Sequence, residues 1–333
     1  MMKKYQEHLK WAIFFVVIAL VGGTTKSNFT LDIFISTIFF CSMAAAWNIV
    51  GGYAGLVSLG HVAFMGIGSY ISTILFLNMG LSPWIGMFVG SIGSMLLAYL
   101  IGMLTIRLQG PFLVLSTIAL SSILQIFAIK FDKITGGSVG LSIPYKPSFH
   151  NMVFKSYNTY FILFVLLLVA VISVTIFIKN SRMGSYLIAI REDELAASAL
   201  GINVFKTKLN ALLISAFFTS IGGSLYVQYM LFMDPASAFS VSFSTKVAVL
   251  TIIGGAGTVL GPVVGGMILV PVEIFLRIAL GSTYQGAYLL VYGILLIVVI
   301  LVIPDGIVGL FKRKLAIKFK STEKKAKLKI ETE

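Results

Sequence analysis

Ten apolar runs, separated by glycine, proline and clusters of charge, account for most of this sequence, and none of them alternates with period two. Such a chain cannot hide its greasy residues in one water-shielded core. Hydrophobic residues make up 58% of its 333 positions and charged ones 11%, far from the balance of a soluble domain. In lipid every backbone polar group must be satisfied internally, which leaves helices or closed barrels, and continuous runs favour helices. The expected fold is therefore all-α, a polytopic membrane helical bundle.

A spanning helix needs about 20 apolar residues. Breaks in the pattern place spans near Trp11 to Gly23, Phe29 to Val50, Gly55 to Asn78, Trp84 to Ile106, Phe112 to Ile129, Thr159 to Ile178, Leu209 to Met233, Thr245 to Gly257, Val259 to Leu276 and Ala287 to Ile303. The first and eighth are short, and the eighth could be a broken or partly re-entrant helix. Lys3, Lys4 and Lys10 precede the first span, and nine Lys or Arg fall in the last 22 residues. Positive charge stays inside, so both termini are expected in the cytoplasm. That parity puts Arg107 and the 179–208 loop inside and the 130–158 loop outside, with Arg277 awkwardly on the outer side. Met1 to Thr25 also fits a signal peptide with a cleavage site near Val21, Gly22 and Gly23, which would leave nine spans.

The formal charge of +13 does not point to nucleic acid, because the basic residues gather at the ends of apolar runs and in the tail. Residues 1–311 read as the membrane domain and 312–333 as a basic, poorly ordered extension that could also meet anionic lipid. Cys41 is the single cysteine, so no intrachain disulfide can form. His8, His61 and His150 lack ligand spacing, and no metal or cofactor is expected.

One stretch resists the membrane. "AIREDELAASALGINVFKTK", residues 189–208, carries Arg191, Glu192, Asp193, Glu194, Lys206 and Lys208. Each such charge at a helix centre costs on the order of 2.5–3.5 kcal/mol. The segment is therefore expected as a cytoplasmic loop of about thirty residues, and loops of that size are disordered or functional. Leu195, Ala196, Ala197, Ala199 and Leu200 favour helix, acidic residues stand in the first turn and Gly201 is a good terminator. A short capped helix over 189–201 follows, either lying on the bilayer or offering its alanines to another protein.

"SRMGSYLIAIREDELAASALGINVFKTKLNALLISAFFTSIGGSLY", residues 181–226, resembles the cytoplasmic loop and following span of permease subunits of branched-chain amino acid ABC importers. "AAWNIVGGYAGLVSLGHVAFMGIGSY" at 45–70, "GPFLVLSTIALSSILQI" at 110–126, "TGGSVGL" at 135–141 and "TIIGGAGTVLGPVVGGMIL" at 251–269 extend the likeness from about residue 30 to 310. The chain looks like the second permease of the pair. The resemblance implies that Arg191, Glu192, Glu194, Ala196, Ala197, Gly201 and Asn203 form the contact with the ATPase subunit. Ser198 and Ser185 depart from the family pattern, which often has an acidic residue and an Arg there.

Glycines cluster at Gly51, Gly52, Gly55, Gly60, Gly66 and Gly68, and again at Gly254, Gly255, Gly257, Gly261, Gly265 and Gly266. Small residues let helix backbones approach in lipid, where no hydrophobic force draws helices together. Alternatively they mark broken helices along a substrate path. "GGYAGLVSLG" and "GGAGTVLG" look alike, a hint of an internal repeat with both turns on the cytoplasmic side. Gly51, Gly52, Gly55, Gly254, Gly255 and Gly257 are thus inner-gate candidates. Asn48, Ser58, His61, Ser116, Thr117, Ser121, Ser122, Gln125 and Gln228 are the polar pathway set, with His61 expected to make an interhelical hydrogen bond rather than a ligand contact. Glu273, near the end of the ninth span, is the lone membrane carboxylate of note.

With so few carboxylates a driving cation has little to hold it, and no GxxxxGK[ST] motif is present to bind ATP. Energy is expected from a partner. The resemblance implies a second permease, two cytoplasmic ABC ATPases and an extracytoplasmic binding protein, in a bacterial cytoplasmic membrane, with leucine, isoleucine or valine as cargo. The alternatives are an ABC permease for a sugar, nucleoside or urea, an ion-coupled secondary carrier of amino acids, and a passive channel.

Overall fold

The computed structural model describes residues 27–108, 110–281, 286–302 and 306–310. The expected first span, its signal-peptide alternative and the basic tail lie outside them. The described chain runs α1 (Asn28–Asn48), continued by a π-helical turn (Ile49–Tyr53), then α2 (His61–Met79), α3 (Pro83–Thr105), α4 (Pro111–Lys130) and a short α5 (Asp132–Thr135). After β1 (Leu141–Ser142) come α6 (Tyr157–Lys179), α7 (Arg182–Glu192), α8 (Glu194–Ala199) and α9 (Val204–Met230). Then follow β2 (Phe232–Met233), α10 (Pro235–Ala238), α11 (Val241–Gly255), α12 (Gly261–Gly281) and α13 (Ala287–Val302). Eight described helices are long and apolar enough to cross a membrane, and α13 adds a shorter apolar one.

Local chemistry sets the ends of these helices. Pro83, Pro111 and Pro235 stand in first turns, where a missing N–H costs nothing. Asp193, Asn203 and Asp234 cap α8, α9 and α10 by accepting backbone N–H bonds. Two expected boundaries move. The span expected from Gly55 begins only at His61, because residues 54–60 fold back without regular structure. The span expected from Thr245 starts near Pro235, since α10 and α11 together form one apolar segment, Pro235–Gly255. That shift takes Lys246 from a span's outer tip to its interior. Glu273 likewise lies in the middle of α12 rather than near a span's end.

Two helices form the centre. α1 and α9 are the most enclosed of the spans; α2 and α3 pack on one side of α9, while α6, α11 and α12 surround α1. Contact depends on small residues and shared polar atoms, as expected where lipid competes equally for apolar surface. A Cβ on Gly90 would sit 2.6 Å from the Gly68 carbonyl oxygen, and one on Gly265 would overlap that of Leu250. Hydroxyls then bridge helices: Ser94 Oγ donates to Phe64 O at 2.9 Å, and Thr251 Oγ1 to Ala44 O at 3.1 Å. At the end remote from the 180–203 connector, β1 pairs antiparallel with β2, and Trp84 Nε1 donates to Phe149 O at 2.8 Å.

Gly265→Leu keeps the hydropathy needed for insertion but forces α11 and α12 apart. We expect a loss of about 1–3 kcal/mol, read as a lower Tm of the detergent-solubilised protein. Gly293→Leu, where a Cβ meets open space, should melt like wild type; equal Tm values for the two variants would refute close packing as the source of stability.

Candidate functional site

Three breaks in the helical pattern meet at the connector end of the bundle. The first follows α1. An α-helix that reaches Asn48 loosens into a π turn over Ile49–Tyr53, then turns at Gly55 with φ +70°. The 54–60 strap folds back along α1, and its polar groups find partners in side chains: Trp47 Nε1 donates to Ser58 O at 2.8 Å, and Leu59 N to Thr117 Oγ1 at 3.2 Å. Irregular backbone inside a membrane bundle is tolerated only when satisfied in this way.

The second break is the glycine turn between α11 and α12. Gly255 and Gly257 adopt φ of +122° and +72°, a region costly for any residue with a Cβ. Asn48 ties this turn to the first. Its Oδ1 accepts from Gly257 N at 2.8 Å and its Nδ2 donates to Thr258 O at 2.8 Å. Asn48 is fully buried, so both of its polar ends are spent on the opposite turn. Gly52 must be glycine for the same reason, since a Cβ there would overlap Asn48 Oδ1 and lie 2.5 Å from Gly257 N.

The third break is Asp193. The sequence suggests one helix over 189–201, but α7 ends at Glu192 and Asp193 is extended, with φ −156°. Its carboxylate accepts from Leu195 N at 2.9 Å and Ala196 N at 3.0 Å, starting α8 afresh. Arg191, at the end of α7, donates from Nη1 to Gly52 O at 3.1 Å and pairs through Nη2 with Glu192 Oε1 at 2.9 Å. The connector is thus joined to the first glycine turn, and through Asn48 to the second.

The remaining connector residues divide by role. Glu194 binds Lys208 at 2.6 Å, and that lysine side chain is only 4% exposed. Lys208 belongs to the first turns of α9, not to a solvated loop, so one of the six charges expected in water is buried and paired. Ala197 is buried, Ala196 is exposed, Gly201 ends the turn at φ +81°, and Asn203 caps α9. Leu195 and Leu200, read in sequence only as helix formers, are 82% and 81% exposed. Beside the connector opens a cleft of about 760 Å³, bordered by Gly55, Val57, Leu115, Arg191, Glu194 and Lys208.

Of the expected pathway residues, Asn48, Gly51, Gly52, Gly55, Ser58, Gly254, Gly255 and Gly257 gather in or beside this junction. A side chain on Gly51 would collide with the Trp47 ring, and one on Gly254 with the Gly261 carbonyl. His61 stands further in, with Nε2 2.9 Å from Ser215 Oγ. Because Ser215 gives its single proton to Ala46 O at 2.7 Å, His61 is the donor in that pair. Ser116, Thr117, Ser121 and Ser122 bond back to carbonyls of their own helix. Gln228 is buried with its carboxamide unpartnered among the described residues.

The permease-component family of branched-chain amino acid transport systems matches residues 29–300. The high-affinity branched-chain amino acid transport system permease protein LivM of Salmonella typhimurium is 27% identical, covering 91% of this chain and 75% of that protein. LivM of Escherichia coli K12 is 26% identical over the same shares. LivH of Salmonella typhimurium, a permease protein of the high-affinity system, is 27% identical over 81% of this chain and 91% of its own length.

Asn48→Leu keeps the branched shape but strands Gly257 N–H and Thr258 C=O. The cost should be on the order of 1–3 kcal/mol for each stranded group, seen as a Tm drop in detergent. Ser224→Ala removes a single 3.2 Å bond elsewhere in the core and should cost far less; an Asn48→Leu protein no less stable than that control would mean the two turns do not depend on their tie.

Proposed function

The chain belongs to the permease-component family of branched-chain amino acid transport systems, and from that premise we propose that it is one membrane subunit of an ATP-driven importer of leucine, isoleucine or valine. Its partners are a second, homologous permease, two cytoplasmic ABC ATPases and an extracytoplasmic binding protein, in a bacterial cytoplasmic membrane. Resemblance to both LivM and LivH proteins supports pairing of two related permeases. The connector end is the cytoplasmic end, in keeping with the basic tail that follows α13. This subunit carries no chemistry of its own; it converts a partner's movement into a change of access.

The observation that carries this reading is the bond from Arg191 to Gly52 O. Closure of the ATPases displaces α8, which projects Leu195 and Leu200 outward. Asp193 separates α8 from α7, and Arg191 passes the displacement to the π turn. Asn48 then carries it to the turn between α11 and α12. Apolar contact through the two leucines supplies affinity for the ATPase, while Glu192, 70% exposed, orients the approach at the rim. Glu194 serves internally, by neutralising Lys208. The cleft beside Gly55 changes width as the strap moves against α4.

Leu195→Asp with Leu200→Asp should abolish co-purification of the ATPase while the permease stays folded. Arg191→Met should retain the ATPase but lower ATP-dependent leucine uptake by about tenfold, the equivalent of one charge-assisted hydrogen bond of roughly 1.5 kcal/mol. Full uptake by the leucine variant, or uptake driven by an ion gradient with the purified chain alone in proteoliposomes, would overturn the proposal in favour of a self-sufficient carrier.

A further inference from the structure

Partly buried between two spans, away from the junction, Lys246 of α11 faces Glu273 of α12 with Nζ 2.7 Å from Oε2. The two side chains keep 21% and 17% of their exposure. The ammonium also lies 3.7 Å from the centroid of the Phe40 ring. Neither residue takes part in the hydrogen bonds that join the connector to the two glycine turns. Nor is the pair needed for packing, because an enclosed ion pair contributes little to stability and apolar residues of similar size hold helices together as well or better. Ionisable residues kept inside a membrane bundle at such a cost point to function.

A second cavity, of about 530 Å³, adjoins the pair toward the end remote from the connector. Phe40, Tyr226 and Phe243 line its apolar side, and Ser69, Asp234 and Ser240 supply polar groups. Phe40 is common to both features, lining the cavity and carrying the Lys246 ammonium on its ring. Phe243 lies one helical turn from Lys246 on the same face of α11, and its ring centroid is 5.4 Å from that of Phe40. The ion pair therefore lies immediately behind the aromatic wall of the cavity.

Resting on the reading of this chain as an amino acid permease, we propose that the Lys246–Glu273 pair and the adjoining cavity form a membrane subsite for a zwitterionic α-amino acid with an apolar side chain. The Phe40 ring, which screens the pair from the cavity, turns aside so that the carboxylate takes Lys246 and the ammonium takes Glu273, while the side chain packs on Phe243 and Tyr226. One ion pair is exchanged for two, so loading adds no net charge to the site and no proton or sodium ion is required. A ligand bearing only one of the charges leaves either Lys246 or Glu273 without a partner and is rejected. Discrimination by charge pattern thus continues inside the membrane after the binding protein has released its cargo.

The test uses the permease pair assembled with its ATPases but without the binding protein, so that only the membrane site is read. Millimolar leucine should raise the Tm of the wild-type complex by a few degrees, whereas 3-methylbutylamine and 4-methylpentanoate should not. Lys246→Met with Glu273→Met removes both charges and should abolish the leucine shift. The absence of a shift in wild type, an equal shift with the amine or the acid, or a shift surviving in the double variant would each overturn the subsite. If the double variant does not assemble, Lys246→Glu with Glu273→Lys restores a pair in reverse: assembly without a leucine shift supports recognition, while recovery of the wild-type shift, or failure to assemble, assigns the pair to structure. Failure of the broader reading is distinct, since the complete wild-type transporter with its binding protein would then not take up leucine with ATP.

Discussion

A peptide group inside a bilayer has no water to turn to when its helix stops, so every interruption of the helical ladder must be closed by another part of the protein. This constraint organises the connector end. The chain interrupts its helices after Asn48, after Gly255 and at Asp193, and two of these breaks close one another. The π turn gives a carbonyl to Arg191, and Asn48 satisfies both an N–H and a C=O of the glycine turn. A requirement of backbone chemistry becomes a mechanical linkage.

The sequence shows this architecture unevenly. Long apolar runs reveal the spans because hydrophobicity is a property of single residues and sums along the chain. The connector is legible for the same reason, from its charge. Boundaries are less so: the strap at 54–60 is as apolar as a helix start, and only Gly55 and the partners supplied by Trp47 and Thr117 reveal that it turns back. The split at Asp193 shows the limit of propensity, since an aspartate at that point reads equally as a first-turn acid or as a cap. Its side-chain bonds to Leu195 N and Ala196 N decide for the cap.

Pairwise features were hidden altogether. Lys208 looks like a flanking lysine until Glu194 is placed beside it, and Lys246 looks like the edge of a short span until α10 extends that span outward. Neither partner can be found from spacing: Glu194 lies on a different helix from Lys208, and Glu273 is separated from Lys246 by a glycine turn. The likeness between the two glycine motifs did point in the right direction, since both turns lie at the same end and touch. What it could not indicate is that Asn48 stands between them, because an asparagine in an apolar helix reads equally as pathway, packing or cap.

The position of that tie bears on how the two ends of the molecule communicate. The turn held by Asn48 joins α11 to α12, and Lys246 lies nine residues before Gly255 on the one while Glu273 lies twelve after Gly261 on the other. At 1.5 Å per residue these are lever arms of roughly 14 and 18 Å. The helices are packed closely along Gly254, Gly261 and Gly265, so a change at the turn tilts one helix against the other, and Pro271 inside α12 gives that helix a point of bending just before Glu273. Such a tilt moves Lys246 relative to Glu273 more than it moves the turn itself. An ion pair is the contact most sensitive to that displacement, because its attraction depends on separation in a medium of low dielectric constant. On the proposed coupling route, force arriving at Arg191 would therefore act, through one asparagine and one glycine turn, on the distance between the two charges.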